Sequence, residues 1–176
     1  TCYDRAIEIK ADFVGAFVNR GNALLELKRT EAALESYDGA LKVEPDSVDA
    51  LVSRASVLMS LKRIDEAFES YTRALTIKPA LDFLRGNRLY AQMKMCDWTD
   101  INNQFEALIA MIDAGNTASP PFPVLSITPM LFSQQVVATT WMHNKYPGDT
   151  KLDPIAKYAR HDKIRIGYFS ADFHNH

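Results

Sequence analysis

Two histidines, His174 and His176, stand two residues apart at the end of the sequence. Near neutral pH an imidazole can take or give a proton, so such a pair suggests acid–base chemistry or a metal. A metal site needs three or four ligands, and no third ligand with plausible spacing accompanies the pair. From the residues alone, a loop histidine in a structural hydrogen bond is the plain reading of His176. Asp172 would orient a histidine or close an Asx-turn. A second set, Asn19, Ser53 and Asn87, recurs at 34-residue intervals. A carboxamide offers both a donor and an acceptor. It can therefore hold an extended peptide backbone whatever the side chains are. Ser53 weakens the middle rung, and the alternative is ordinary solvation of a polar helix face. Cys2 and Cys96 make neither a metal spacing nor a disulfide framework, which fits a reducing, cytoplasmic setting.

Each set needs elements to carry it. The run Lys163-Ile164-Arg165-Ile166-Gly167-Tyr168-Phe169-Ser170 alternates like a β-strand. Polar residues just after such a strand sit where doubly wound sheets bind ligands. The asparagine set needs repeated helices, and the sequence supplies them. Residues 14–47 overlay 48–81 with identities that include Val18/Val52, Arg20/Arg54, Ala33/Ala67, Tyr37/Tyr71, Ala40/Ala74 and Pro45/Pro79. Tyr3, Asp4, Ala6 and Asp12 begin a preceding half-copy. A 34-residue period with small residues at fixed places is the tetratricopeptide signature.

First helices are expected near 14–28 and 48–62, and second helices near 30–44 and 64–78. A third first helix over 81–94 puts Asn87 level with Asn19. Cys96-Asp97-Trp98-Thr99-Asp100 then interrupts the pattern, and the solenoid is expected to end there. An amphipathic helix over 100–114 follows. Pro120-Pro121-Phe122-Pro123 reads as a stiff extended linker. Thr128-Pro129 opens a helix running to about Asn144. Trp98 and Trp141 sit among apolar neighbours and are expected in the core.

Composition limits the partners. The chain has 176 residues, a net charge of −2 and 47% hydrophobic residues. This excludes a disordered chain and gives no basic surface for nucleic acid. The stretch from Ala114 to Asn144 carries no Asp, Glu, Lys or Arg, but its four prolines and one glycine break any membrane-spanning helix. The sequence begins without Met inside a helix and stops just past a strand, and so reads as a fragment.

Taken in order, the repeats, Cys96-Asp97-Trp98, the proline-containing linker and Gly167-Tyr168-Phe169-Ser170-Ala171-Asp172-Phe173-His174-Asn175-His176 resemble the O-linked N-acetylglucosamine transferases, in particular their bacterial, SPINDLY-like members. The resemblance implies a mainly α chain. Tetratricopeptide repeats would occupy 1–95, a helical and proline-containing linker 96–162, and the first β-strand of an α/β catalytic domain of the GT-B architecture 163–176. It implies an inverting, metal-independent transfer of N-acetylglucosamine from UDP-GlcNAc to Ser or Thr of intracellular proteins. UDP-GlcNAc would be a donor substrate, and no cofactor is implied. Acceptor proteins would lie in the repeat groove on Asn19, Ser53 and Asn87, and His176 would be the active-site histidine. Nothing carries over to His174. A related enzyme using GDP-fucose or modifying Asn, and a non-catalytic scaffold for protein–protein interaction, are the alternatives.

Overall fold

The structure is a computed structural model and describes residues 2–147. Asp172, His174, His176 and the strand expected over 163–170 lie outside the described residues. Nine helices occupy the described part: α1 (Cys2–Ile9), α2 (Val14–Glu26), α3 (Thr30–Val43), α4 (Val48–Ser60), α5 (Ile64–Ile77), α6 (Leu84–Lys94), α7 (Ile101–Asp113), α8 (Pro121–Ile127) and α9 (Leu131–Lys145).

Small residues at the repeat interval let α2 approach α3, and α4 approach α5. Ala33, Ala40, Ala55, Ala67 and Ala74 are fully buried. At Gly21 even a methyl group would meet Tyr37, whose Cε1 would lie 2.5 Å from the added carbon. The Tyr37 ring therefore fills the space that the missing side chain leaves. Leu58, fully buried on α4, ties the two hairpins into one core with Leu34, Leu51 and Tyr71. Pro45 and Pro79 follow the ends of α3 and α5, where a ring without an N–H cannot continue the helix.

The turns repeat as faithfully as the helices. Lys28, Lys62 and Cys96 all have positive φ, near 60°. In each turn the next residue donates its N–H five residues back: Arg29 to Leu24, Arg63 to Leu58 and Asp97 to Gln92. This is the Schellman ending, usually given to glycine because a Cβ strains the left-handed backbone. The double substitution Lys28→Gly with Lys62→Gly is therefore expected to stabilise the chain by about 1 kcal/mol, the relief of strain exceeding glycine's extra unfolded-state entropy. Urea unfolding checks this. A lower midpoint would mean that the lysine side chains contribute more than their backbone costs.

The third hairpin keeps the turn and loses the close approach. The period places its second helix at Trp98, but α7 begins at Ile101. Ile101 and Leu108 stand where the repeats have Ala67 and Ala74, and both are buried. Branched side chains there hold α7 well away from α6. The helix expected over 100–114 is thus α7, set apart from the place a regular second helix would take. Trp98, expected in the core, is 57% exposed on the intervening turn. Trp141 is half-buried with its ring edge-on to Phe83, centroids 4.7 Å apart. Gln92 takes the place of Leu24 and Leu58. It is buried, its Nε2 donates to the Thr99 carbonyl at 3.0 Å, and its Oε1 has no partner.

The proline run is only partly extended. Residues 116–120 have no regular structure, but Pro121 opens α8. The first turn of a helix has spare N–H groups, so Pro121 and Pro123 lose nothing there. Helix α9 starts at Leu131, two residues beyond Pro129; the Thr128 hydroxyl instead accepts from the Met130 N–H at 3.1 Å, closing a turn. Helices α7, α8 and α9 share a second core with Leu89 of α6, built on Ile112, Val124 and Val137. Helix α6 thus belongs to both cores, with Leu84 and Ala91 facing the repeats.

Candidate peptide-binding groove

Successive first helices α2 and α4 touch each other directly, whereas α3 and α5 stay further apart. The stack therefore curves with α2 and α4 on its concave side, and the repeat interval sets α6 in line with them. The period assigns the concave positions: Val18, Asn19 and Asn22 on α2, then Val52, Ser53 and Ser56 on α4. Val18, Asn19, Asn22, Val52 and Ser53, with Leu81, line an open groove of about 370 Å³. Asn19 is exposed, and its carboxamide has no hydrogen-bond partner among the described residues. The Tyr37 hydroxyl donates to Asn22 Oδ1 at 2.7 Å and interacts with Ser53. Burial pushes the Tyr37 pKa up, so the phenol stays a neutral donor behind the groove floor. Glu44, Asp46 and Asp49 line the edge next to Asn19.

Asn19 and Ser53 thus meet on one open surface, and Asn87 does not join them. Asn87 is in register but lies on the part of α6 that the chain covers itself. Concave positions Phe83, Gly86 and Tyr90 are met by Trp141, Ser119 and Phe122 respectively.

Sequence reasoning, which pairs Arg20 with Arg54, misses what these arginines do. Arg20, Arg54 and Arg88 form a ladder at the repeat interval, and each reaches 16 residues back and 16 forward. Arg20 donates to Asp4 and Ser36 at 3.1 and 2.6 Å. Arg54 donates to Asp38 and Ser70 at 2.7 and 2.8 Å. Arg88 donates to Thr72 and Gln104 at 3.2 and 2.9 Å. Arg54 also reaches Glu66, whose carboxyl is held below its usual pKa chiefly by the hydrogen bond from Arg63. Burial pushes the Arg88 pKa down from so high a value that the guanidinium stays charged. The signal in the sequence was the recurrence of polar residues at 4, 38 and 72 and at 36, 70 and 104. The ladder fixes the strict 34-residue register through α6 and α7, and with it the concave position of Asn87.

Residues 18–82 match the tetratricopeptide repeat family model. No curated protein matches the chain. Among solved structures, the Sgt2 tetratricopeptide domain from Aspergillus fumigatus is 19% identical with a TM-score of 0.51, covering 83% of this chain and 90% of that one. MamA is 12% identical with a TM-score of 0.57, covering 81% and 85%. YrrB, described as a tetratricopeptide protein with an unusual peptide-binding site, is 14% identical with a TM-score of 0.54, covering 82% and 84%. At these identities the likeness is one of fold. It covers more than four fifths of this chain. Among those residues no helix is long and apolar enough to cross a membrane, and no three side chains gather as a metal site.

Proposed function

We propose that the tetratricopeptide solenoid binds an extended polypeptide through its main chain in the groove between α2 and α4. The observation that carries this is the unpartnered carboxamide of Asn19 beside Ser53 on consecutive concave helices. We further propose that the polypeptide is the acceptor of a protein O-glycosyltransferase, with UDP-GlcNAc as donor and His176 in the active site. This rests on the resemblance of the motif ending at His176. Supporting the groove, tetratricopeptide folds bind proteins and peptides, and YrrB, similar in fold, has a peptide-binding site. A scaffold without chemistry is the second reading, favoured by the family match, which lies wholly within the repeats.

Two experiments test these steps. The full-length protein is incubated with UDP-GlcNAc and, in parallel, with GDP-fucose, and acceptor proteins are weighed by mass spectrometry. A gain of N-acetylglucosamine on Ser or Thr is expected. Fucose transfer would correct the donor, and no transfer with either would leave the scaffold. For the groove, Asn19→Ala with Ser53→Ala is expected to raise KM for protein acceptors about tenfold, since two neutral hydrogen bonds together are worth about 1.4 kcal/mol or somewhat more. Asn87→Ala is expected to change it less than about twofold, because the chain itself lies over the neighbouring positions Phe83, Gly86 and Tyr90. Equal losses with short peptides that reach only the active site would show that the groove plays no part.

A further inference from the structure

The groove does not run the length of the repeats, because the chain lies in it. After α7, residues 116–120 return across the start of α6. The Ala118 carbonyl accepts from the Gly86 N–H at 3.0 Å, and the Thr117 carbonyl accepts from the Phe83 N–H. The Thr117 hydroxyl pairs with Asp82. Ala118 and Ser119 are buried, and the Phe122 ring stands edge-on to Tyr90 at 5.8 Å. The residue contacted by Ser119 is the one at which α6 departs from the repeats. Val18 and Val52 hold that concave position on α2 and α4, and glycine holds it on α6. A Cβ on Gly86 would overlap the Ser119 side chain and approach its Cα to 2.9 Å. The notch at Gly86 therefore admits the strap, and a valine there would exclude it.

We infer that residues 116–122 are a built-in occupant of the third rung, so that an incoming polypeptide engages only the rungs of Asn19 and Ser53. This deepens the groove reading and rests on it. The strap satisfies a spare N–H in the first turn of α6 with a main-chain carbonyl. It thereby takes up the surface that a guest chain would cross, and a guest long enough for three rungs must compete with it.

The probe is a synthetic peptide of residues 116–122, Asn-Thr-Ala-Ser-Pro-Pro-Phe, added in trans to the isotope-labelled 176-residue chain. Amide shifts are expected at Asn19 and Ser53, with none at Asn87, and the Gly86 amide is expected to exchange slowly. In Gly86→Val the strap has no seat. A guest on the first two rungs already passes Val18 and Val52, so shifts should then reach Asn87, and the peptide should bind two- to tenfold more tightly. Ser119→Arg expels the strap with Gly86 kept and serves if Gly86→Val does not fold; far-UV circular dichroism decides that. Shifts at Asn87 in the unaltered chain overturn the strap and leave the groove standing. So does a folded strap-free variant in which Asn87 stays silent. No shift on α2, α4 or α6 in any form overturns the groove itself, and the strap's role with it.

Discussion

In the full-length protein, His176→Ala is expected to lower turnover by about 10²–10⁴-fold with folding intact, the usual worth of a general base. Under the proposed reaction, sugar transfer requires the acceptor hydroxyl to lose its proton while charge grows on the leaving diphosphate. A neutral imidazole can take that proton, or it can donate to the acceptor or to a phosphate. Turnover and donor affinity measured together separate these roles. Lost turnover with unchanged UDP binding supports the base or acceptor role, and weakened UDP binding the phosphate role. A folded variant keeping more than about half of its turnover would show that His176 does no chemistry, because one general base already contributes about a hundredfold.

The second large effect is on stability. Leu58→Ala is expected to cost about 2–5 kcal/mol, since Leu58 is fully buried and its neighbours are held by both hairpins. Native stabilities are about 5–15 kcal/mol, so this one change removes a large fraction of the total. The equivalent residue on α2, Leu24, is only half-buried and should cost less. At the third equivalent position the sign should reverse. Gln92→Leu removes a buried oxygen that lacks a partner, and the Thr99 carbonyl keeps a second donor in Gln104. A gain of about 1 kcal/mol is expected. Thermal unfolding of the three variants reads this ordering directly. If Leu24→Ala and Leu58→Ala cost the same, the two hairpins do not share the core described here.

The repeats were legible because their causes are local. Alanines that permit close approach and prolines that end helices leave marks in the chain, and α2 to α5 fall within two residues of the expected bounds. Asn19, Ser53 and Asn87 share one register on α2, α4 and α6, because register is arithmetic. What the sequence could not show was which of them stays open. That depends on the meeting of Gly86 with Ser119, 33 positions along the chain, and a glycine inside a helix carries no label for what it admits. The helix expected over 100–114 is α7 (Ile101–Asp113); what escaped is its distance from α6, set by the volumes of Ile101 and Leu108, which a count of residues does not carry. Trp98 lies outside the core it was expected in because apolar neighbours along the chain need not be neighbours in space. The proline run misled through its composition: prolines within the first turn of a helix resemble those of an extended linker.

Helix α6 carries one more consequence, for how such a chain can vary in length. The helices α7 to α9 touch the repeats principally through α6. Each upstream hairpin is built on the same turn and the same alanines and joined to the next by the same arginine. A 34-residue unit inserted or deleted between 47 and 48 would therefore restore every junction it disturbed, and the C-terminal helices would not register the change. Reach on the guest side and the anchorage at α6 are thus separately adjustable. Lineages could lengthen or shorten the array by unequal recombination without rebuilding its end.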